Sequence, residues 1–158
     1  MRRSMVAVLA ISLAFTAGSA AQTQIDGVLL KFGGDIITRS DVRQARLLKL
    51  VQSEGDSDQA YVNALVDRRL MLAELKRSPP AEPSAEAVDA KRAQWLAALG
   101  SGIDVPDLLA RAGLTEALLR GWFRDDLRLQ TYLSERFAGR ASDVAVWIVT
   151  LRQRAGLK

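Results

Sequence analysis

Apolar residues recur every three or four positions over most of the chain after residue 38, which is the spacing of an amphipathic helix. Ahead of this region, two short β-prone runs flank Gly33-Gly34, an arrangement typical of a hairpin because glycine reaches the positive φ of tight turns. We therefore expect a mainly α fold, a compact bundle of about five to six helices with a short N-terminal β-hairpin. The spacing predicts helices over about 39–52, 58–77, 85–99, 105–112, 116–137 and 143–156.

Local signals define several ends of these segments. Thr38 stands three residues before Asp41, which predicts a capping box at the start of the first helix. The prolines within 78–84 end the second helix, since proline cannot continue one. In the last segment, residues 144–149 are β-branched enough for a strand, whereas residues 151–155 favour a helix. We expect a helix there, with a strand as the alternative.

The N-terminal residues have the layout of an export signal. Arg2 and Arg3 precede an uncharged run over 5–17, and small residues follow over 18–21. An uncleaved membrane anchor is the competing interpretation. The uncharged run is shorter than the roughly 20 apolar residues that a membrane-spanning helix needs, which favours the export signal.

This layout predicts how the chain is divided. We expect a signal peptide over 1–21 that is cleaved after Ala21, with cleavage after Ala20 as the alternative. The remaining residues, 22–158, are expected to form a single helical domain that is not embedded in a membrane.

The composition excludes several classes of enzyme site. The chain has no Cys and no His, so it has no Ser-His-Asp triad, Cys-His pair, His-ligated zinc site, disulfide or iron–sulfur cluster. Asp125 and Asp126 are adjacent, and neighbours on a helix diverge by about 100°, so they do not face one site. The acids lack the spacing of a calcium loop, and Gly33-Gly34 lacks the residues of a phosphate loop. We therefore predict no catalytic residue, no cofactor and no metal.

The charge balance does not favour a nucleic-acid partner. The chain has 22 basic and 18 acidic residues, and two of the basic residues lie in the predicted signal peptide. The small excess that remains is ordinary for a soluble domain. We expect no nucleic acid among its partners.

The fifth predicted helix has two unusual features. It carries a row of charges four residues apart, which favours a solvated face, with contact to phosphates or an acidic partner as the alternative. It also carries two apolar stripes, which either both lie in the core or leave one as a groove for a foreign chain. The row is Glu116, Arg120, Arg124 and Arg128; the stripes are Leu118, Trp122, Leu129 and Leu133, and Leu119, Phe123 and Leu127.

Two stretches of the chain resemble a known family. Residues 37–42, Ile-Thr-Arg-Ser-Asp-Val, and residues 65–74, Leu-Val-Asp-Arg-Arg-Leu-Met-Leu-Ala-Glu, are similar to the N-terminal region of SurA-type periplasmic chaperones, relatives of parvulin prolyl isomerases. The layout that follows is also similar, and the stretch 147–155 resembles the family's C-terminal helix. In the family, parvulin domains lie between the last two helices. Here only residues 138–141 separate them, and the histidines typical of a parvulin site are missing.

The resemblance implies a periplasmic, chaperone-like protein without prolyl isomerase activity, whose partners are unfolded or outer-membrane-bound polypeptides. It also implies that the C-terminal helix over 143–156 packs back on the N-terminal region. The alternative function is a structural or adaptor module that docks one folded partner or self-associates. Methionine and large aromatic side chains adapt to many sequences, which makes five residues candidate peptide contacts, each with a place in the core as the competing interpretation: Met71, Trp95, Trp122, Phe123 and Tyr132.

Overall fold

The computed structural model describes residues 26–157, and the predicted signal peptide with its cleavage site lies outside this range. The mainly α fold with an N-terminal hairpin is confirmed. Two strands form the hairpin, Val28–Phe32 (β1) and Asp35–Thr38 (β2). The helices that follow among the described residues are Arg39–Leu47 (α1), Asp58–Leu75 (α2), Ala85–Leu99 (α3), Val105–Ala112 (α4), Glu116–Phe137 (α5) and Ala141–Arg154 (α6).

The hairpin leads directly into α1. Its two strands pair antiparallel, and Gly33 and Gly34 turn the chain at φ of 51° and 85°. The predicted capping box is present. The Thr38 hydroxyl accepts a hydrogen bond from the Asp41 N–H, and the Asp41 carboxylate accepts one from the Thr38 N–H at 2.8 Å. Strand β2 and α1 therefore join without a loop.

Helix α1 ends at Leu47, and the prediction that it continues to Gln52 is wrong. The Lys49 N–H donates to the Arg46 carbonyl, and the Leu50 N–H donates to the Ala45 carbonyl at 3.0 Å. These two bonds form a Schellman motif, in which the residue after the C-cap takes a left-handed conformation. Here that residue is Lys49, with φ of 49°. The chain consequently leaves the helical path and runs as an irregular segment to the start of α2.

Helix α2 lies at the centre of the bundle. It packs against α1, α5 and α6, and these neighbours cover it on more than one side. Val62, Leu65 and Val66 pack against the hairpin and α1, whereas Leu75 packs against the distal half of α5 and α6. Removal of these side chains from water is a main contribution to stability, roughly 1.5–3 kcal/mol for each fully buried aliphatic group.

Residues 144–149 are helical, which resolves the alternative between helix and strand in favour of the helix. The inner face of α6 carries Trp147 and Leu151, both buried against α2 and α5. A bidentate ion pair joins Arg152 to Asp67 of α2, with 2.9 Å between the Arg152 Nη2 and the Asp67 Oδ2. Packing and this ion pair attach the last helix to the centre of the bundle.

Candidate functional site

The structure does not bring the five candidate residues together on one surface. Trp95, Phe123 and Tyr132 are buried, while Met71 and Trp122 are half-buried. The rings of Trp95 and Phe123 contact each other, with centroids 5.6 Å apart, in the cluster between α3, α4 and α5. Tyr132 belongs to a separate cluster at the far end of α5. Burial thus places three of the five mainly in the core.

Trp122 lies under a buried arginine. The guanidinium of Arg68 stacks on the indole ring at 3.9 Å from its centroid. Arg68 also donates hydrogen bonds to the Trp122 carbonyl at 3.1 Å and to the Asp126 carboxylate at 2.8 Å. Only 8% of Arg68 is exposed, and its Nε finds no partner among the described residues.

This ion pair is costly to bury. Desolvation outweighs the attraction between the two groups: it raises the pKa of Asp126 above its ordinary value and lowers the pKa of Arg68. Replacement of a buried ion pair by an apolar pair of the same shape is often neutral or stabilising, so stability alone does not account for such a pair. The Arg68–Asp126 pair also lies on the floor of a surface groove, which suggests a role beyond stability.

The groove runs around Gln52, on the irregular segment between α1 and α2. Three adjacent depressions, with volumes of about 770, 260 and 400 Å³, each have Gln52 in their walls. Two of these volumes lie within the range of about 300–1,000 Å³ that is common for ligand pockets. We call the three depressions together the Gln52 groove, and its parts the α6 end, the middle and the α3 end.

The α6 end lies between α2 and α6. Ile148 and Val149 supply an apolar wall, and the Asp67–Arg152 ion pair supplies a polar one. In the middle of the groove, Met71 lies beside the Arg68–Asp126 pair. Met71 is therefore the candidate whose partly exposed side chain contacts the groove directly.

The α3 end has an aromatic base. Trp95 and Phe123 form its floor. Three amide side chains form part of its rim: Gln94 from α3, Gln130 from α5 and Gln52 from the segment between α1 and α2. The indole N–H of Trp95 donates to the Leu48 carbonyl at 2.7 Å and so ties α3 to the end of α1. Trp95 and Phe123 are therefore core residues that also line the groove.

Sequence reasoning missed the residues that shape this groove. Lys49 and Gln52 fall inside the helix that was predicted to continue to residue 52. Arg68 and Asp126 are 58 positions apart, and nothing in a helical pattern pairs them. The signal that could have found the groove is local: Ser53 to Asp58 is polar and contains a glycine, so it predicts a loop next to the buried helix α2.

The row of charges on α5 is neither a simple solvated face nor a free anion site. Each member has an oppositely charged partner on α3 or on the proline-containing linker before it. These contacts attach α5 to the neighbouring segments and leave the row largely neutralised. The pairs are Glu116 with Arg92, Arg120 with Asp89, and both Arg124 and Arg128 with Glu82. The two apolar stripes are also not equivalent, because Leu119 and Phe123 are buried whereas Leu118 is 58% exposed.

Two further observations concern residues 26–157 alone. This part of the chain contains no cluster of three or more acidic side chains placed to hold a metal ion. None of its helices combines the length and the apolar content needed to traverse a bilayer.

In comparisons with known proteins, no family model, no curated protein and no solved structure matches the chain.

Proposed function

We propose that this protein is an exported, periplasmic chaperone that binds unfolded polypeptides in the Gln52 groove, without prolyl isomerase activity. The observation that supports the proposal is the groove itself: three adjacent depressions that share Gln52 and together touch α2, α3, α5 and α6. The resemblance of 37–42 and 65–74 to SurA-type chaperones points in the same direction. Outer-membrane-bound polypeptides are the client class that this resemblance favours.

The chemistry of the groove suits an extended chain. A polypeptide backbone offers alternating N–H donors and carbonyl acceptors, and a glutamine amide can satisfy either. Gln52, Gln94 and Gln130 supply such amides around the α3 end. Apolar surface between them, from the aromatic base and from Met71 in the middle, accepts side chains of different shapes. The proposal needs no catalytic group, which is consistent with a chain that lacks His and Cys.

A pair of matched variants tests the proposal. Ala97 and Ala98 are neighbours on α3 and both are exposed, but only Ala98 contacts the groove. Ala98→Trp places a large side chain in the α3 end, whereas Ala97→Trp adds the same group outside it. The assay is light scattering by an unfolded outer-membrane protein diluted from urea, in the presence of each form of the protein.

We expect the natural protein and Ala97→Trp to suppress aggregation at near-stoichiometric amounts, and Ala98→Trp to suppress it less. A natural protein that leaves aggregation of several clients unchanged would refute the chaperone function. Equal suppression by both variants would place client binding elsewhere on the molecule. Circular dichroism of each variant checks that the fold is retained.

A second candidate function, self-association or docking of one folded partner, is favoured by two exposed valines of α6, one of which, Val149, also stands in the wall of the α6 end of the groove. Val146 and Val149 are 68% and 52% exposed and lie three residues apart on this helix. Sedimentation equilibrium tests the self-association. A discrete dimer that dissociates when both valines are replaced by serine would support it, and a monomer at all concentrations would argue against it.

A further inference from the structure

The α3 end of the Gln52 groove carries an excess of positive charge. Lys49 and Lys91 stand in its wall, one from the end of α1 and one from α3. Neither lysine forms a salt bridge with another of residues 26–157. The acid on the floor, Asp126, is already paired with Arg68. The rim is therefore basic around an apolar base.

Lys49 occupies a backbone conformation that is unfavourable for lysine. Its φ of 49° lies in the left-handed region, and a side chain there costs roughly 1–2 kcal/mol, which glycine avoids. The chain uses glycine in the equivalent position after α4, where Gly113 has φ of 67°. Non-glycine residues in this conformation tend to cluster at functional sites, and for Lys49 its position in the groove wall is the second observation that points to one.

From these two observations we propose that the α3 end selects acidic client segments, in which Glu or Asp residues flank one large apolar side chain. The apolar side chain of the client enters the depression over Trp95 and Phe123. This depression has a volume of about 400 Å³. Lys49 and Lys91 then face the flanking carboxylates. The inference rests on the proposed function, since it names the class of polypeptide that the same groove binds.

The test uses three fluorescein-labelled peptides that share a central Phe and differ only in its flanking residues, which are Glu, Gln or Lys. Fluorescence anisotropy measures the affinity of each peptide for the protein as it is recovered after export. We expect the Glu peptide to bind most tightly and the Lys peptide least. The advantage of the Glu peptide should shrink between about 0.1 M and about 1 M salt, over which the Debye length falls from about 10 Å to about 3 Å.

Two variants connect the selection to Lys49. Lys49→Gly should weaken binding of the Glu peptide about two- to fivefold, the effect of one exposed ion pair, and leave the Gln peptide unchanged. Lys31→Gln removes a positive charge from the exposed face of β1, outside the groove, and should change neither peptide.

The outcomes separate this inference from the proposed function. Equal affinity for all three peptides overturns the acidic selection while the polypeptide-binding function stands. The acidic selection is also overturned if Lys31→Gln weakens binding of the Glu peptide as much as Lys49→Gly does, because long-range charge would then explain the preference. No binding of any of the three peptides overturns both proposals.

Discussion

Replacement of Lys49 by glycine should make the protein more stable. Lys49 is the residue that reverses the chain after α1, and its φ of 49° is one that glycine adopts without strain. Both hydrogen bonds of the motif, from Lys49 to Arg46 and from Leu50 to Ala45, use backbone atoms and survive the change. The substitution therefore relieves strain and removes no contact that the motif needs.

The expected gain is small but measurable. Relief of the left-handed conformation contributes about 1–2 kcal/mol, while the greater freedom of glycine in the unfolded chain costs about 0.4–1 kcal/mol. The net increase in the free energy of unfolding is then about 0.5–1 kcal/mol, or about 2–4 °C in Tm for a chain of this size. The side chain of Lys49 is exposed, so its loss changes the free energy of unfolding little.

Urea unfolding, followed by tryptophan fluorescence and by far-ultraviolet circular dichroism, measures the change. Lys49→Ala is the control for charge, because alanine keeps the Cβ and hence the strain; its stability should match that of the natural protein. Ala138→Gly is the control for conformation, because Ala138 is the other non-glycine residue with positive φ among the described residues. It should be stabilised by a similar amount. If Lys49→Gly is no more stable than Lys49→Ala, strain at residue 49 is negligible and the functional argument built on it fails.

Three further outcomes are expected. Trp95→Phe should lower the free energy of unfolding by about 1–3 kcal/mol, since it leaves the carbonyl of Leu48 without its indole donor; an unchanged urea midpoint would contradict this. Arg152→Gln should cost about 1–2 kcal/mol by removing the partly buried pair with Asp67, and should increase hydrogen exchange in α6 more than in α1. A hydrogen bond from the side chain of Thr38 lowers the pKa of Asp26, with further hydrogen bonds from Ser40 in the same direction. The stabilisation from Asp26 should therefore be present above its unfolded pKa and be lost as the pH falls through the lower folded value; an NMR titration with a pKa at or above 3.8 would refute this.

Local signals in the sequence were sufficient wherever a few neighbouring residues decide the structure. The bounds of α4 and α5 agree with the prediction because Asp104 and Thr115 cap their first turns and Gly113 ends the first of them. The capping box at Thr38 is of the same kind. In each case the donor and the acceptor lie within about four residues of each other, so the local sequence pattern is enough to predict the hydrogen bond.

The end of α1 shows where such signals fail. Val51 continues the apolar spacing of the helix, which favoured an end near Gln52. In the structure, Leu50 is buried among side chains of α3, α4 and α5, and the Leu48 carbonyl accepts its hydrogen bond from Trp95. These partners are distant in sequence, and their packing overrides the local preference of the segment.

The candidate site shows the same limit more strongly. Large aromatic residues such as Tyr132 are attractive as contacts, but an apolar spacing is identical whether the neighbour is a core helix or a client. Only the packing of the helices decided that Tyr132 lies among core side chains, and only that packing brought Arg68 and Asp126 together beneath Gln52.

The sequence by itself therefore determined the helices, most of their caps and the lack of His and Cys. The tertiary structure decided which faces are covered, where α1 stops and where a groove remains. The physical reason is range: capping and helical propensity act within a few residues of one segment, whereas burial and ion pairing depend on residues that are brought together only when the segments pack.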